Sequence, residues 1–343
     1  MENYTAKHQD KYLVYCTDSC GMGDRLLGIA STFLLAVANG YQFRIKNFEP
    51  FSLAEVFTSS LPWWQDDWVY TEVKRGRLNM ESDVWSFSNI LTEGLITTHY
   101  PNAKCINVHS NQNFIGYLFQ NYNYISELTK YGITPENAFQ KAIEYLFQFE
   151  RGFSENYKYL QSQLKSSKKY IGVHVRTNRK WGDVPQISDT CVNKFIEATQ
   201  SEYQNGSKIF VCSDDENVIN QFKQKFGSDV VSLPGEAKHL EKSKDQTLQE
   251  FSKILFEIWL LADSDVFIGS YWSNFSRLVT LKQVKDPVLV ELNLAENPQR
   301  PTQQWIESRL DENGNIELEK EYGLNTKINK FQYSTHSEMS GIK

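Results

Sequence analysis

No stretch of the 343-residue chain approaches the ~20 continuous apolar residues that a membrane-spanning helix needs, so a membrane span is not expected. The first ten residues, Met1 to Asp10, are polar and contain neither the basic nor the apolar segment of a secretory leader. With Met1 as the start, the expected location is cytoplasmic. Cysteine is scarce, and the five thiols (Cys16, Cys20, Cys105, Cys191, Cys212) are odd in number and scattered. That pattern argues against a disulfide framework, and Cys16 and Cys20 have no second Cys/His pair at zinc spacing. Reduced structural thiols are expected. The Asn-x-Ser/Thr sequons at Asn3, Asn205 and Asn274 matter only in a secreted chain and carry no weight here. Positive charge is also in short supply: 36 Lys+Arg stand against 42 Asp+Glu, a net charge of -6. The field of the whole protein therefore repels a phosphate backbone, which argues against nucleic acid as a partner.

What is present is a globular composition. Hydrophobic residues make up 40%, enough for real cores, and the length suggests about two domains. Aromatics at 14% exceed what a core strictly needs and suit stacking on sugars or bases, although most single rings are core.

Lys11 to Cys16 reads as a strand, Thr17 to Gly23 as a glycine-containing loop, and Leu26, Leu27, Ala30, Phe33, Leu34 and Val37 recur at helical spacing before Gly40. From residue 47 to 123 the pattern does not order itself. A helix around Pro135 to Arg151 leads to the polar stretch Ser162 to Lys169, the expected domain boundary. Beyond it the alternation is clear. Strands are expected at Tyr170–Arg176, Lys208–Cys212, Asp229–Ser232, Asp265–Ile268 and Pro287–Leu292, with helices at Val192–Thr199, Glu216–Phe226 and Thr247–Ala262. This is the signature of βαβ units, hence an α/β fold with a parallel sheet covered on both faces. The organisation expected is a domain over residues 1–160, a second over 165–300 and a polar tail over 301–343.

Polar residues concentrate where those strands end. His174 and Arg176 close one strand, Ser213-Asp214-Asp215 follows the next, and Ser270 to Asn274 follows a third. Open α/β sheets bind ligands beyond the carboxyl ends of their strands, so three clusters at one edge describe one site. His174-Val-Arg-Thr-Asn-Arg-Lys-Trp-Gly-Asp183 crowds four potential cations into seven residues of an acidic protein, which favours an anionic ligand such as phosphate over a merely solvated loop. Gly21-Met-Gly-Asp-Arg25 has the geometry to hold phosphate on helix N-terminal amides, or to make a tight turn capped by Asp24. It lacks the third glycine of a dinucleotide fingerprint and the Gly-Lys-Ser/Thr of a P-loop. Ser213 to Glu216 also reads as an ordinary helix cap.

Gly-x-Gly-Asp-Arg-Leu near the N-terminus, His174-Val175-Arg176 with Lys180 and Gly182, Ser213-Asp214-Asp215, and Asp265-Val-Phe-Ile-Gly-Ser-Tyr-Trp-Ser-Asn-Phe-Ser-Arg277 together resemble the GDP-fucose-dependent fucosyltransferases. The branch is that of the α1,6-, α1,2- and protein O-fucosyltransferases, matched in order from Tyr170 to about Leu292. The resemblance implies a GT-B fold, two Rossmann-like domains with parallel sheets facing across a cleft, the first on the acceptor side and the second binding the donor. It implies inverting transfer of fucose from GDP-fucose to a hydroxyl of a glycan acceptor, with no metal or other cofactor. It places Arg176, helped by Lys180, on the diphosphate, His174 and Asp265 on the guanosine, Ser273 near the phosphates, Asp214 and Asp215 along the donor pocket, and Arg277 among the donor-binding residues. Gly21, Gly23 and Arg25 approach the diphosphate from the other domain. Thr177 and Trp272 depart from common family residues.

The chemistry agrees with that implication. A cation at the leaving phosphate stabilises the charge that builds there, and a carboxylate must accept the proton of the incoming hydroxyl. Asp183 is the expected base and Asp24 its rival. Two other readings stand beside this one. Asp263 and Asp265 could serve a metal-dependent glycosyltransferase acting on another nucleotide sugar, or the chain could bind glycan or nucleotide without catalysis.

Overall fold

Leu13 and Tyr15 on one side of the first strand, and Phe43 and Ile45 on one side of the second, are fully or almost fully buried. Val14 and Cys16 on the other side of the first strand are buried as well, so that strand is covered on both faces, whereas burial alternates along Tyr41–Lys46. The computed structural model describes the backbone of residues 4, 6–16, 20–46, 48–59, 61, 75–79, 84–110, 113–177, 187–235, 246–270, 273–283 and 288–290. The chain divides into two compact units, Met1–Asn156 with Leu240–Phe251, and Tyr157–His239 with Ser252–Lys343.

In the first unit, β1 (His8–Cys16), β2 (Tyr41–Lys46), β3 (Arg75–Asn79) and β4 (Cys105–His109) form a parallel sheet in the order β2-β1-β4-β3. Between β1 and β2 runs α1 (Met22–Asn39), whose side chains are buried almost all round. A helix this apolar must be enclosed, and α2 (Tyr122–Thr129) and α3 (Ala138–Leu146) pack against it. Gly40 ends α1 with φ +67°, its N–H donating to the Ala36 and Val37 carbonyls, a left-handed cap that favours glycine. The elements between residues 75 and 109, which sequence pattern did not order, supply two of the four strands.

The second unit starts from α4 (Arg151–Lys165), whose first residues belong to the first unit, and β5 (Lys169–Val175). There follow α5 (Asp189–Glu202), β6 (Ser207–Ser213), α6 (Glu216–Phe226), β7 (Val230–Val231), α7 (Leu248–Ala262), β8 (Val266–Ser270), α8 (Asn274–Lys282) and β9 (Val288–Val290). The sheet order is β9-β8-β5-β6-β7, with every pairing parallel. Alternation along β5 divides the faces. Ile171, Val173 and Val175 join Val192 and Phe195 of α5 and Val218 and Phe222 of α6 in one core. Tyr170, Gly172 and His174 point the other way, where the Tyr170 hydroxyl donates to the Leu260 carbonyl of α7. Burying each such large apolar side chain stabilises by about 1.5–3 kcal/mol.

All five cysteines are free and buried. Among the described residues, no helix is long and apolar enough to cross a membrane.

Candidate functional site

The register of the second sheet sets His174 of β5 beside Cys212 of β6 and Gly269 of β8, so three strands end at one level. At that edge the chain leaving β5 is held by side chains from both neighbours. From β6, the Ser213 hydroxyl donates to the Val175 carbonyl at 2.8 Å. From β8, the Ser270 hydroxyl accepts the Arg176 N–H at 2.9 Å and donates to the His174 carbonyl at 3.3 Å. Asp214 accepts the Thr177 N–H at 2.7 Å and the Thr177 hydroxyl at 2.9 Å, both on Oδ1. Its Oδ2 lies 3.5 Å from Nη1 of Arg176, a pair in which the Asp214 side chain is 4% exposed and that of Arg176 23%.

His174 lies beneath this edge. Its ring stacks on Phe275 of α8 with centroids 4.5 Å apart, and its Nδ1 lies 2.7 Å from the Ser276 hydroxyl. Burial, with a smaller push from the Arg176 charge, lowers its pKa to about 3. The imidazole is therefore neutral, and Arg176 supplies the positive charge of this pair. Ser273 is the N-cap of α8, its hydroxyl making no capping bond, and its N–H returns to the Ser270 carbonyl at 3.1 Å. Arg277 follows one turn later, its N–H bonded to the Ser273 carbonyl.

His174, Arg176, Asp214, Asp215, Ser273 and Arg277 are thus brought to one edge, with Asp215 serving as N-cap of α6 through the Asn217 N–H. Asp265 is not among them, which corrects its expected place beside His174. It precedes β8, is exposed, and accepts the Tyr170 N–H at 2.9 Å while donating its own N–H to the Tyr170 carbonyl. That is the amino end of the sheet, four residues back from His174, or roughly 13 Å along a strand. The other carboxylate of the metal-dependent reading is Asp263. Asp263 accepts from the Tyr157 hydroxyl and from Gln161 of α4, which accounts for it structurally. Lys180 and Asp183 lie outside the described residues.

In the first unit, Gly21 is the N-cap of α1, so Asp24 falls in the first turn and not at the cap expected for it. Gly23 is buried in that turn. Arg25 is also corrected: it is 5% exposed, with Nε donating to the Cys20 carbonyl at 2.9 Å, Nη1 to the Glu49 carbonyl, and its guanidinium over the Phe48 ring. It braces the loop that carries Gly21 from behind.

Sequence pattern placed Ser270 in the edge cluster without a role of its own, gave Ser276 none, and missed Glu257. Glu257 lies off the apolar stripe of α7 and reads as solvent-facing, but its side chain is 15% exposed and pairs with Lys253 at 3.5 Å. Burial pushes its pKa up to about 7 against the lowering effect of Lys253. Its charge is also felt by Cys212, the strand neighbour of His174, whose thiol is raised first by burial and then by Glu257. The Lys253/Glu257 spacing of four residues was the available signal.

A family model described as GDP-fucose protein O-fucosyltransferase matches residues 54–283. The chain belongs to that family. This fucosyltransferase is accordingly a glycosyltransferase enzyme, as its motifs implied. No curated protein matches it in sequence. Among solved structures, a mutant of Arabidopsis thaliana FUT1 in complex with GDP is similar at 15% identity and TM-score 0.61, covering 86% of this chain and 71% of that one. The fucosyltransferase NodZ from Bradyrhizobium is similar at 18% identity and TM-score 0.54, covering 84% and 97%. NodZ α-1,6-fucosyltransferase soaked with GDP-fucose gives 16% identity and TM-score 0.54, covering 84% and 97%. At such identities the likeness shows the fold, and it agrees with the GT-B class and its parallel α/β sheets.

Proposed function

We propose that this fucosyltransferase transfers fucose from GDP-fucose to a hydroxyl of a glycan acceptor, with inversion and without a metal ion. The observation that supports this reading most directly is Arg176, whose main chain is bonded by Ser270 and whose guanidinium is oriented by Asp214 at the edge where α8 begins. A cation held in advance stabilises the charge developing on the leaving diphosphate without reorganising. The N-terminus of α8 and the Ser273 hydroxyl add donors suited to phosphate oxygens.

The neutral His174 ring suits an uncharged nucleoside, and with Asp265 at the far edge we propose Glu257 as the carboxylate that meets the guanine. Glu257 has the right chemistry, because an ionised carboxylate accepts both the N1–H and the N2–H₂ of guanine. In the reaction the acceptor oxygen bonds to fucose C1 as the C1–O bond to the β-phosphate breaks, giving an inverted glycoside and GDP. Asp183 is our proposed acceptor of the hydroxyl proton. Asp183→Asn is then expected to abolish transfer while GDP affinity is retained, with Asp24→Asn mainly lowering stability or donor binding. The reverse pattern would move the base to Asp24.

The test of the whole reading is a thermal-shift series with GDP, UDP and CDP, followed by transfer from GDP-fucose in excess EDTA and NMR of the product anomer. GDP at ~100 times its dissociation constant raises stability by about 2.7 kcal/mol. Preferential stabilisation by UDP, loss of the rate in EDTA, or a product of retained configuration would each overturn the corresponding part.

A further inference from the structure

We propose that Thr177 is a positioning residue for transfer: it fixes the rotation of the Asp214 carboxylate, which in turn aims Arg176. This rests on the reading of Arg176 as the cation for the diphosphate, and it takes Asp214 out of direct contact with the donor. The Thr177 side chain is fully buried, an unusual place for a hydroxyl unless it is bonded. Its hydroxyl and its own N–H converge on one oxygen, Oδ1 of Asp214, at 2.9 and 2.7 Å. With Oδ1 so engaged, the planar carboxylate has a single rotation, and that rotation turns Oδ2 to Nη1 of Arg176 at 3.5 Å.

Thr177 can do this because its backbone is itself fixed. Its carbonyl accepts the Ile187 N–H at 3.1 Å, and the residue before it is tied to Ser270. At 3.5 Å the contact with Arg176 is longer than a charge-assisted hydrogen bond. Asp214 therefore orients the guanidinium by its charge without capturing it in a tight fork. The hydroxyl has a direct chemical purpose at this position. Without it, the buried carboxylate loses one of the two Thr177 bonds that set the position of Oδ1, and the aim of Arg176 loosens with it.

The experiment compares wild type, Thr177→Val, Thr177→Ser, Arg176→Ala and the Arg176→Ala/Thr177→Val double variant. GDP affinity is measured by calorimetry, transfer by initial rates, and folding by melting temperature. Thr177→Val, which keeps the shape and removes the hydroxyl, is expected to weaken GDP binding and lower kcat/KM by roughly tenfold each. Thr177→Ser recovers most of the loss. In the Arg176→Ala background, Thr177→Val should leave GDP affinity unchanged, because its effect passes through the missing guanidinium.

The same loss of affinity in both backgrounds, or no loss in either, overturns the proposal. If Arg176→Ala itself binds GDP and transfers normally, the reading of Arg176 falls and the proposal with it, an outcome distinct from simple additivity. Should Thr177→Val not fold, Thr177→Ala against Thr177→Ser isolates the hydroxyl, since both lack the methyl group. Equal GDP affinity in those two would also overturn the proposal.

Discussion

The Nδ1 atom of His174 lies 2.7 Å from the hydroxyl of Ser276, 102 residues further along the chain. This bond and the Phe275 stack set the orientation of a ring that burial keeps neutral. The edge of the second sheet therefore divides its work between an uncharged imidazole and a charged guanidinium two residues away.

His174 and Glu257 are expected to oppose each other in the pH dependence of stability. His174 has a pKa near 3 against 6.5 when unfolded, so the unfolded chain binds the extra proton between those values and this contribution makes stability rise with pH. Glu257 has a pKa of about 7 against 4.5 when unfolded, so the native chain binds the extra proton and this contribution makes stability fall as pH rises to 7. Between pH 4.5 and 6.5 the two slopes cancel in part. Denaturant titrations should show stability falling with pH in His174→Gln and rising with pH in Glu257→Gln, each relative to wild type. Parallel slopes in all three proteins would contradict these assignments.

GDP binding should release protons below neutral pH. If guanine is accepted by the Glu257 carboxylate, binding requires the ionised form, and Glu257 is largely protonated at pH 6. Calorimetry at that pH in two buffers of different ionisation enthalpy should give different heats, from which a net release of protons is calculated. Glu257→Gln should abolish the difference and narrow the preference for GDP over other nucleoside diphosphates. Identical heats for the wild-type protein in both buffers would remove Glu257 from the guanine.

Arg176→Ala is expected to lower kcat by roughly 10² or more, the cost of losing one preorganised donor to a developing charge. Arg176→Lys should recover little of that loss, because an ammonium cannot reproduce the planar fork. Steady-state transfer rates with saturating GDP-fucose decide it, and full activity in Arg176→Lys would refute the role assigned to the guanidinium.

Gly28→Ala should destabilise the first unit by about 1–3 kcal/mol through overpacking. A Cβ at Gly28 would stand 2.4 Å from the Ser110 carbonyl and 2.7 Å from the Tyr15 ring, and neither a backbone oxygen nor a buried ring can yield easily. The measurement is a chemical denaturation midpoint. An unchanged midpoint would mean that α1 and the end of β4 can separate at little cost.

The alternation of strands and helices after Tyr170 was legible because both periods, 2 and 3.6, are written in runs of Val, Ile, Leu and Phe that local geometry must bury. Residues 75–109 were not legible, since β3 (Arg-Gly-Arg-Leu-Asn) has neither a β-branched run nor clean alternation and is a strand because β4 pairs with it. The polar motifs after β5, β6 and β8 could be assigned to one edge from sequence, since parallel strands carry their carboxyl ends to the same side. Asp265 was misplaced by the family resemblance, although its position at the start of the expected strand already set it at the opposite edge from residues that follow a strand. The backward-facing Arg25, the burial of Glu257, and the convergence of Thr177 and Arg176 on Asp214 depend on side-chain direction and on a dielectric set by neighbours distant in the chain. Sequence alone therefore determined which chemical groups the protein owns and which sheet carries them. Only tertiary structure decided which of those groups are charged, which are aimed at the site and which brace it, because charge state and orientation are properties of the surroundings and not of the residue.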